Sequence, residues 1–331
     1  MSAKFFWPDA TETTGSGVGI LKRPTQRRHK VGHDMIVREN RIWLRLTAGL
    51  SVGALIVASM AGPALAHSGK IPVGDGKIST SPKAGYLFSC QQRFNPNAGG
   101  AQASGDWLVG NFWYPKRKPT VDGSVGWNGA GAKVTLRGAV REVTSNGLPT
   151  HATGTFPVSP NDDAYSYDRN PNRIRRHSIS LKLPANPQIA AQASCVPMGL
   201  IGVSLTGVAI FNALDAPGRD AAAHEIQDAC DGHPERSGEY HYHSASPCMI
   251  EGAKGPDNHS GLVGYALDGF GIYASKGAGG KHLSNANLDA CHGHIETVMW
   301  DGKAVKMYHY HLTDEYPYAL GCFKGTPVRA R

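Results

Sequence analysis

The tetrapeptide Tyr-His-Tyr-His occurs twice, as Tyr240–His243 and as Tyr308–His311. Its surroundings recur with it. Asp228-Ala229-Cys230-Asp231-Gly232-His233-Pro234-Glu235 precedes the first copy, and Asp289-Ala290-Cys291-His292-Gly293-His294-Ile295-Glu296 the second. Further upstream, GVSLTGVAIF at 202–211 matches GYALDGFGIY at 264–273. Gly202 aligns with Gly264 at an offset of 62 and Cys230 with Cys291 at 61, and the offset grows to 68 between His241 and His309. Three landmarks in one order at nearly one spacing mark a duplicated unit, residues 198–250 and 260–322. Two copies are too few for a solenoid, so the pattern predicts a pseudo-symmetric pair inside one domain.

Side chains alternate faces along a strand. Tyr-His-Tyr-His therefore puts His241 and His243 on one face and both tyrosines on the other, where the histidines can reach one ion. His233 lies eight residues upstream, and the second copy offers His294, His309 and His311. Three imidazoles with an open position suit zinc, and imidazole also suits copper. Glu235 and Glu296 each follow the third histidine by two residues and are candidate acid/base groups or partners that orient the ligands. Asp228 and Asp289, five residues before it, have the same two readings. The duplication is compatible with two separate centres or with one shared across a pseudo-dyad. The competing reading is a structural network in which every ring nitrogen is hydrogen-bonded. His151, His177, His224, His259, His282 and His292 lack repeat partners and count as background, although His292 aligns with Asp231 and is a possible extra ligand.

All six cysteines lie beyond residue 66, with no C-x-x-C among them. An even number in an exported chain reads as disulfides. Each repeat has one cysteine before its Tyr-His-Tyr-His and one after it. Symmetry then pairs Cys230 with Cys248 and Cys291 with Cys322, leaving Cys90 with Cys195.

The export signal is read from the leader. Arg38, Arg41 and Arg45 precede an uncharged, mostly apolar run from Leu46 to Met60, followed by Ala64-Leu65-Ala66. This is the pattern of a secretory signal peptide over 35–66, with Met35 as the expected start and 1–34 as an extension. Cleavage would expose His67, whose amine and ring suit copper, at the head of a tail over 67–84. The expected address is periplasmic or secreted, with no stable membrane span after cleavage. The formal charge of +8 does not indicate a nucleic-acid partner. Nine Lys/Arg against four Asp/Glu sit in residues 1–66, the remainder is nearly balanced, and no basic stripe is interleaved with aromatics.

Between 70 and 197, short apolar stretches alternate with Gly, Pro and Asn. Lys133–Val140 and Ser178–Leu183 carry the period of half-buried strands. Trp107, Trp113 and Trp127 read as packing residues. Residues 202–211 and 264–273 each read strand, turn, strand, the second through Asp268-Gly269. A helix is expected between Asp215 and Ala229, and a shorter one from Ser284 to Ala290. The predicted fold is β-rich α+β, a single compact disulfide-stapled domain.

Tyr240–His243, the two D-A-C-x-G-H elements, GYALDGFGIY, and Tyr308–His311 followed by Tyr316-Pro317-Tyr318 and Gly321-Cys322-Phe323 together resemble the YHYH-domain family of exported proteins, over about residues 85–325. The resemblance implies an extracytoplasmic domain and carries no activity, substrate or metal with it. Three functions follow from the residues: a zinc- or copper-binding protein, a metal-dependent hydrolase, or a structural or adhesive module without metal. Protein partners are not legible.

Overall fold

The hairpin signals are the surest local features, and they sit at the centre of the molecule. The computed structural model describes residues 69–99 and 103–329, all within a unit that runs from Pro63 to Arg331. The leader over 35–66, the extension over 1–34 and His67 lie outside the described residues. The first strands are short: β1 (Ile71–Pro72), β2 (Ile78–Ser79), β3 (Leu87–Phe88), β4 (Leu108–Val109) and β5 (Phe112–Trp113). Three longer ones follow, β6 (Ala132–Arg137), β7 (Val140–Ser145) and β8 (Ile179–Pro184), which form an antiparallel sheet in that order. The β8 run Ile179-Ser180-Leu181-Lys182-Leu183 alternates buried with exposed residues, as its sequence period requires.

The C-terminal half builds β9 (Leu200–Ser204), β10 (Ala209–Phe211), the helical turn α1 (Ala221–His224), β11 (Gly232–Pro234) and β12 (Tyr240–Tyr242). It continues with β13 (Leu262–Ala266), β14 (Gly271–Tyr273), β15 (Gly293–Trp300) and β16 (Lys303–His311). Its eight strands form one sheet in the order β11-β12-β10-β9-β13-β14-β16-β15. At the centre β9 and β13 pair antiparallel, Val203 opposite Tyr265. Outward from that pair each side presents its hairpin partner, then a Tyr-His-Tyr-His strand in parallel pairing, then an edge strand carrying the upstream histidine.

The register fixes where the histidines project. His241 lies opposite Ala209, Ala209 opposite Val203, Val203 opposite Tyr265 and Tyr265 opposite Gly271. Ile272 pairs with Tyr310, which sets Gly271 beside His309. Paired residues share a face, so both His-x-His pairs emerge on the same face of the sheet. Five strand spacings separate them, about 24 Å at ~4.8 Å per spacing.

The opposite face and the flanking sheet enclose a core that includes Leu181, Ile210, Ile272, Phe270 and Tyr310. Trp107 and Trp113 belong to it as expected, and Trp107 donates Nε1–H to the Ala223 carbonyl. Arg141 on β7 is also buried. Its guanidinium makes two hydrogen bonds to Asp301, at 2.9 and 2.8 Å, and sits over the rings of Tyr265 and Trp300. A fixed planar cation suits this place because it stacks and pairs at once.

Three disulfides close the chain, Cys90–Cys195, Cys230–Cys248 and Cys291–Cys322, the pairing that symmetry predicts. The two shorter loops span 18 and 31 residues. Loops of that length stabilise by roughly 3 kcal/mol each on a chain-entropy argument.

Two expectations are corrected. The helix between Asp215 and Ala229 is one turn, Ala221–His224, and Ser284–Ala290 holds a 3-10 turn at Asn285–Asn287 capped by Ser284. The domain is β-rich with little helix. The physical reason is a contact distant in sequence: buried Lys118 takes the carbonyls of Ala222 and Glu225 and the side chain of Gln227, leaving Glu225 extended. The stretch read as a tail over 67–84 contains β1 and β2, which pair with β5 and β3. Asp75 within it accepts the Asp220 backbone N–H and lies 2.9 Å from His224 Nε2.

Candidate metal centres

The D-A-C-x-G-H motif is a device for aiming a histidine. Asp228 Oδ1 accepts the backbone N–H groups of Cys230 and Gly232, at 2.9 and 3.3 Å. Asp289 Oδ1 does the same for Cys291 and Gly293, at 2.9 and 3.2 Å. The variable residue has positive φ in both copies, 53° at Asp231 and 73° at His292. The glycine that follows is forced by packing, since a Cβ on Gly232 would meet the Tyr240 ring at 2.3 Å and one on Gly293 the Tyr308 hydroxyl at 2.4 Å. Both tyrosines donate to the same aspartates, Tyr240 at 2.9 Å and Tyr308 at 2.9 Å. Asp228 and Asp289 thus brace the strand from the tyrosine face rather than reach the histidines.

The second tyrosine of each strand is held by the hairpin turn. Tyr242 lies 3.2 Å from Thr206 Oγ1, and Tyr310 donates to Asp268 Oδ2 at 2.5 Å. Thr206 and Asp268 are aligned turn residues. His151, from outside the repeat, lies 2.5 Å from the Tyr242 hydroxyl. Its approach to Cys230 and Cys248 makes no metal site, because those sulfurs are bonded to each other.

On the other face the six nominated histidines fall into two clusters. The first is His233, His241 and His243. His241 Nε2 and His243 Nε2 are 3.0 Å apart. His241 Nδ1 lies 3.0 Å from the Glu239 carbonyl and His243 Nδ1 lies 2.5 Å from that of Asn212. A carbonyl only accepts, so each Nδ1 carries the hydrogen, and whenever either ring is neutral its bare Nε2 lone pair turns inward. Both nitrogens of buried His233 lack a hydrogen-bond partner.

Glu225 completes this cluster, and the repeat alignment does not show it. Its Oε2 is 3.2 Å from His233 Nε2 and 3.1 Å from His243 Nε2. Burial raises the Glu225 pKa, but His233 and His243 outweigh that and hold it well below the usual carboxylate range. Burial likewise works against a charge on His243, yet Glu225 raises its pKa, while burial and the other two rings hold His241 well below the usual imidazole range. Glu235 is elsewhere: it accepts the Ser237 backbone N–H at 2.8 Å and the Ser237 hydroxyl.

The second cluster is His294, His309 and His311, joined by His259. Three Nε2–Nε2 separations are short: 3.1 Å from His259 to His309, 3.0 Å from His309 to His311 and 3.1 Å from His294 to His311. Again the Nδ1 atoms face carbonyls, His259 at Ser260, His309 at Met307 and His311 at Ala274, at 2.8, 3.1 and 2.5 Å. Burial, with the neighbouring rings, lowers the His309 pKa to about 3 and holds that of His311 well below its usual range. Glu296 flanks the cluster, 3.7 Å from His294 Nε2 and 3.9 Å from His259 Nε2, and accepts the Ala278 N–H. His292 is not in it. Its Nε2 is 3.0 Å from Thr313 Oγ1.

Of the remaining background histidines, His177 faces the Ser237 carbonyl, His224 pairs with Asp75 and His282 lies near Ser275. His259 departs from that reading. It comes from the loop before β13, and its aligned position in the first copy is Pro197, so repeat logic gave no signal for it. The first cluster opens onto a cleft of about 870 Å³ lined by Tyr165, Asp168, Phe211 and Glu235 among others.

Residues 180–284 match the family model described as YHYH protein. The matched region takes in the first Tyr-His-Tyr-His strand and both glycine-rich hairpins. It ends before the second Tyr-His-Tyr-His strand. No curated protein and no solved structure matches the chain. Among the described residues, no helix is long and apolar enough to cross a membrane.

Proposed function

We propose that the YHYH region is half of a duplicated, exported domain, spanning about residues 85–325 together with the β1 and β2 segment, that binds two transition-metal ions. The observation that carries this reading is the second cluster. The Nε2 atoms lie 3.0–3.1 Å apart, burial keeps the His309 and His311 rings neutral so that their facing lone pairs repel, and no carboxylate lies within hydrogen-bond distance to place a shared proton. A cation at their centre removes the repulsion. Ligands about 2.0–2.1 Å from an ion are about 3.3 Å apart in a tetrahedron and about 2.8 Å apart at right angles in a square. The observed spacings fall between these values, which suits zinc or copper. In the first cluster the same inference rests on the unpartnered Nδ1 of His233 and on Glu225, 3.2 Å from its Nε2, a ligand type that zinc also accepts. The disulfides fit an oxidising compartment, in keeping with the leader.

Metal analysis of untagged native protein tests this reading. About two equivalents are expected. His241→Ala/His243→Ala should retain about one, and so should His309→Ala/His311→Ala, because the clusters share no ligand. Total loss in either variant would point instead to one shared centre. A metal-free native protein whose melting temperature does not rise with zinc or copper would return the histidines to a structural role.

A further inference from the structure

The two clusters differ in how they meet solvent. In the first, His233, His241, His243 and Glu225 are each buried, 2–8% exposed, but all four line the cleft. In the second, His259, His309 and His311 are wholly buried, and the His294 side chain, on the edge strand, is 16% exposed. The cleft is also electrostatically biased. Its walls carry four acidic side chains, Asp168, Asp215, Glu225 and Glu235, against two basic ones, Arg169 and Arg236. Asp215 is buried and paired with Arg219, so with neutral imidazoles the remaining lining is net negative by one, and a concave surface of one sign concentrates the opposite ion.

Resting on the two-metal reading, we propose that the first centre is the exchangeable one: a divalent transition-metal cation enters and leaves it through the acidic cleft, while the second centre keeps its ion as part of the fold. An incoming chelator or acceptor ligand approaches the first ion directly from the cleft and displaces its ligands one by one. At the second centre three of four ligands can be displaced only after the sheet and its covering loop open. The protein would then take up and hand on one ion per chain, with the other as a permanent staple.

The test is release of zinc from the fully loaded native chain into excess 4-(2-pyridylazo)resorcinol at pH 7. Two phases of about one equivalent each are expected, the first at least tenfold faster. The fast phase should vanish in His241→Ala/His243→Ala. It should accelerate several-fold in Glu225→Gln, which keeps every histidine and leaves the slow phase unchanged. Reloading of the emptied first centre should slow several-fold in Asp168→Asn/Glu235→Gln at low salt, with the difference shrinking as salt is added. A single phase releasing two equivalents would overturn the inference and leave the two-metal reading standing. A fast phase that survives His241→Ala/His243→Ala, or is untouched by Glu225→Gln, would overturn it as well. A protein that never holds zinc or copper defeats both readings.

Discussion

Acidification from pH 7 to pH 4 is expected to strip both ions and to destabilise the fold by about 3 kcal/mol or more. Several imidazoles are buried neutral. Burial lowers the pKa of His292 to about 4 and, with neighbouring rings, that of His309 to about 3, while His241 and His311 lie well below the usual range. In the unfolded chain these rings take up protons near pH 6.5. Between that pH and their folded values the unfolded state binds more protons, so stability is intact above about 6.5 and is lost as pH falls towards 4 and then 3. For His292 alone a shift from 6.5 to about 4 corresponds to ~3 kcal/mol. His224 acts in the opposite direction. Despite burial, Asp75 raises its pKa, so its contribution is full below about 6.5 and is lost as pH rises through the folded value. His243, whose pKa Glu225 raises despite burial, acts the same way, and two such groups do not offset four. Ligand protonation adds the loss of metal-binding free energy. Urea unfolding at pH 7, 5.5 and 4, with metal analysis of each sample, checks this. A midpoint that stays flat to pH 4.5 would contradict it.

Asp228→Ala should cost about 3–5 kcal/mol and empty the first centre while sparing the second. The carboxylate is 1% exposed and accepts from the Gly154, Cys230 and Gly232 backbones and from the Tyr240 hydroxyl. Alanine leaves several buried donors without a partner, each worth about 1–3 kcal/mol. It also frees the turn that aims His233, so the first cluster loses its third imidazole. Asp228→Asn keeps one acceptor oxygen and should recover part of both losses. Denaturant midpoints and zinc stoichiometry report the two effects separately. Unchanged zinc affinity at the first centre in Asp228→Ala would show that the turn does not position His233.

What was legible in the sequence is what the repeat encodes. Histidines two apart on a strand share a face, the upstream histidine lies across an antiparallel pair from it, and one cysteine on each side of the strand restricts the pairing. The strand order follows the same logic, since Gly202 and Gly264 both lie in the central pair, where a Cβ would strike the facing strand's backbone at 2.7 and 2.5 Å. The ligands outside the repeat were not legible. Glu225 lies in a stretch whose alanines favour helix, and only burial of Lys118 against its carbonyls turns the chain so that the carboxylate reaches His233 and His243. His259 comes from a loop whose aligned position in the first copy is Pro197, which offers no ligand. Glu235 looks closer in sequence than it is in space, because the turn beyond Pro234 engages it with Ser237.

The most direct test of the two-metal account is a crystal structure of untagged native protein with anomalous data collected on both sides of the zinc and copper absorption edges. The account predicts two peaks, one among the Nε2 atoms of His259, His294, His309 and His311 and one among His233, His241, His243 and Glu225, about 24 Å apart at ~4.8 Å per strand spacing and with bonds of about 2.0–2.2 Å. Ordered rings in both clusters without an anomalous peak at either edge, in protein grown with both metals present, would contradict it.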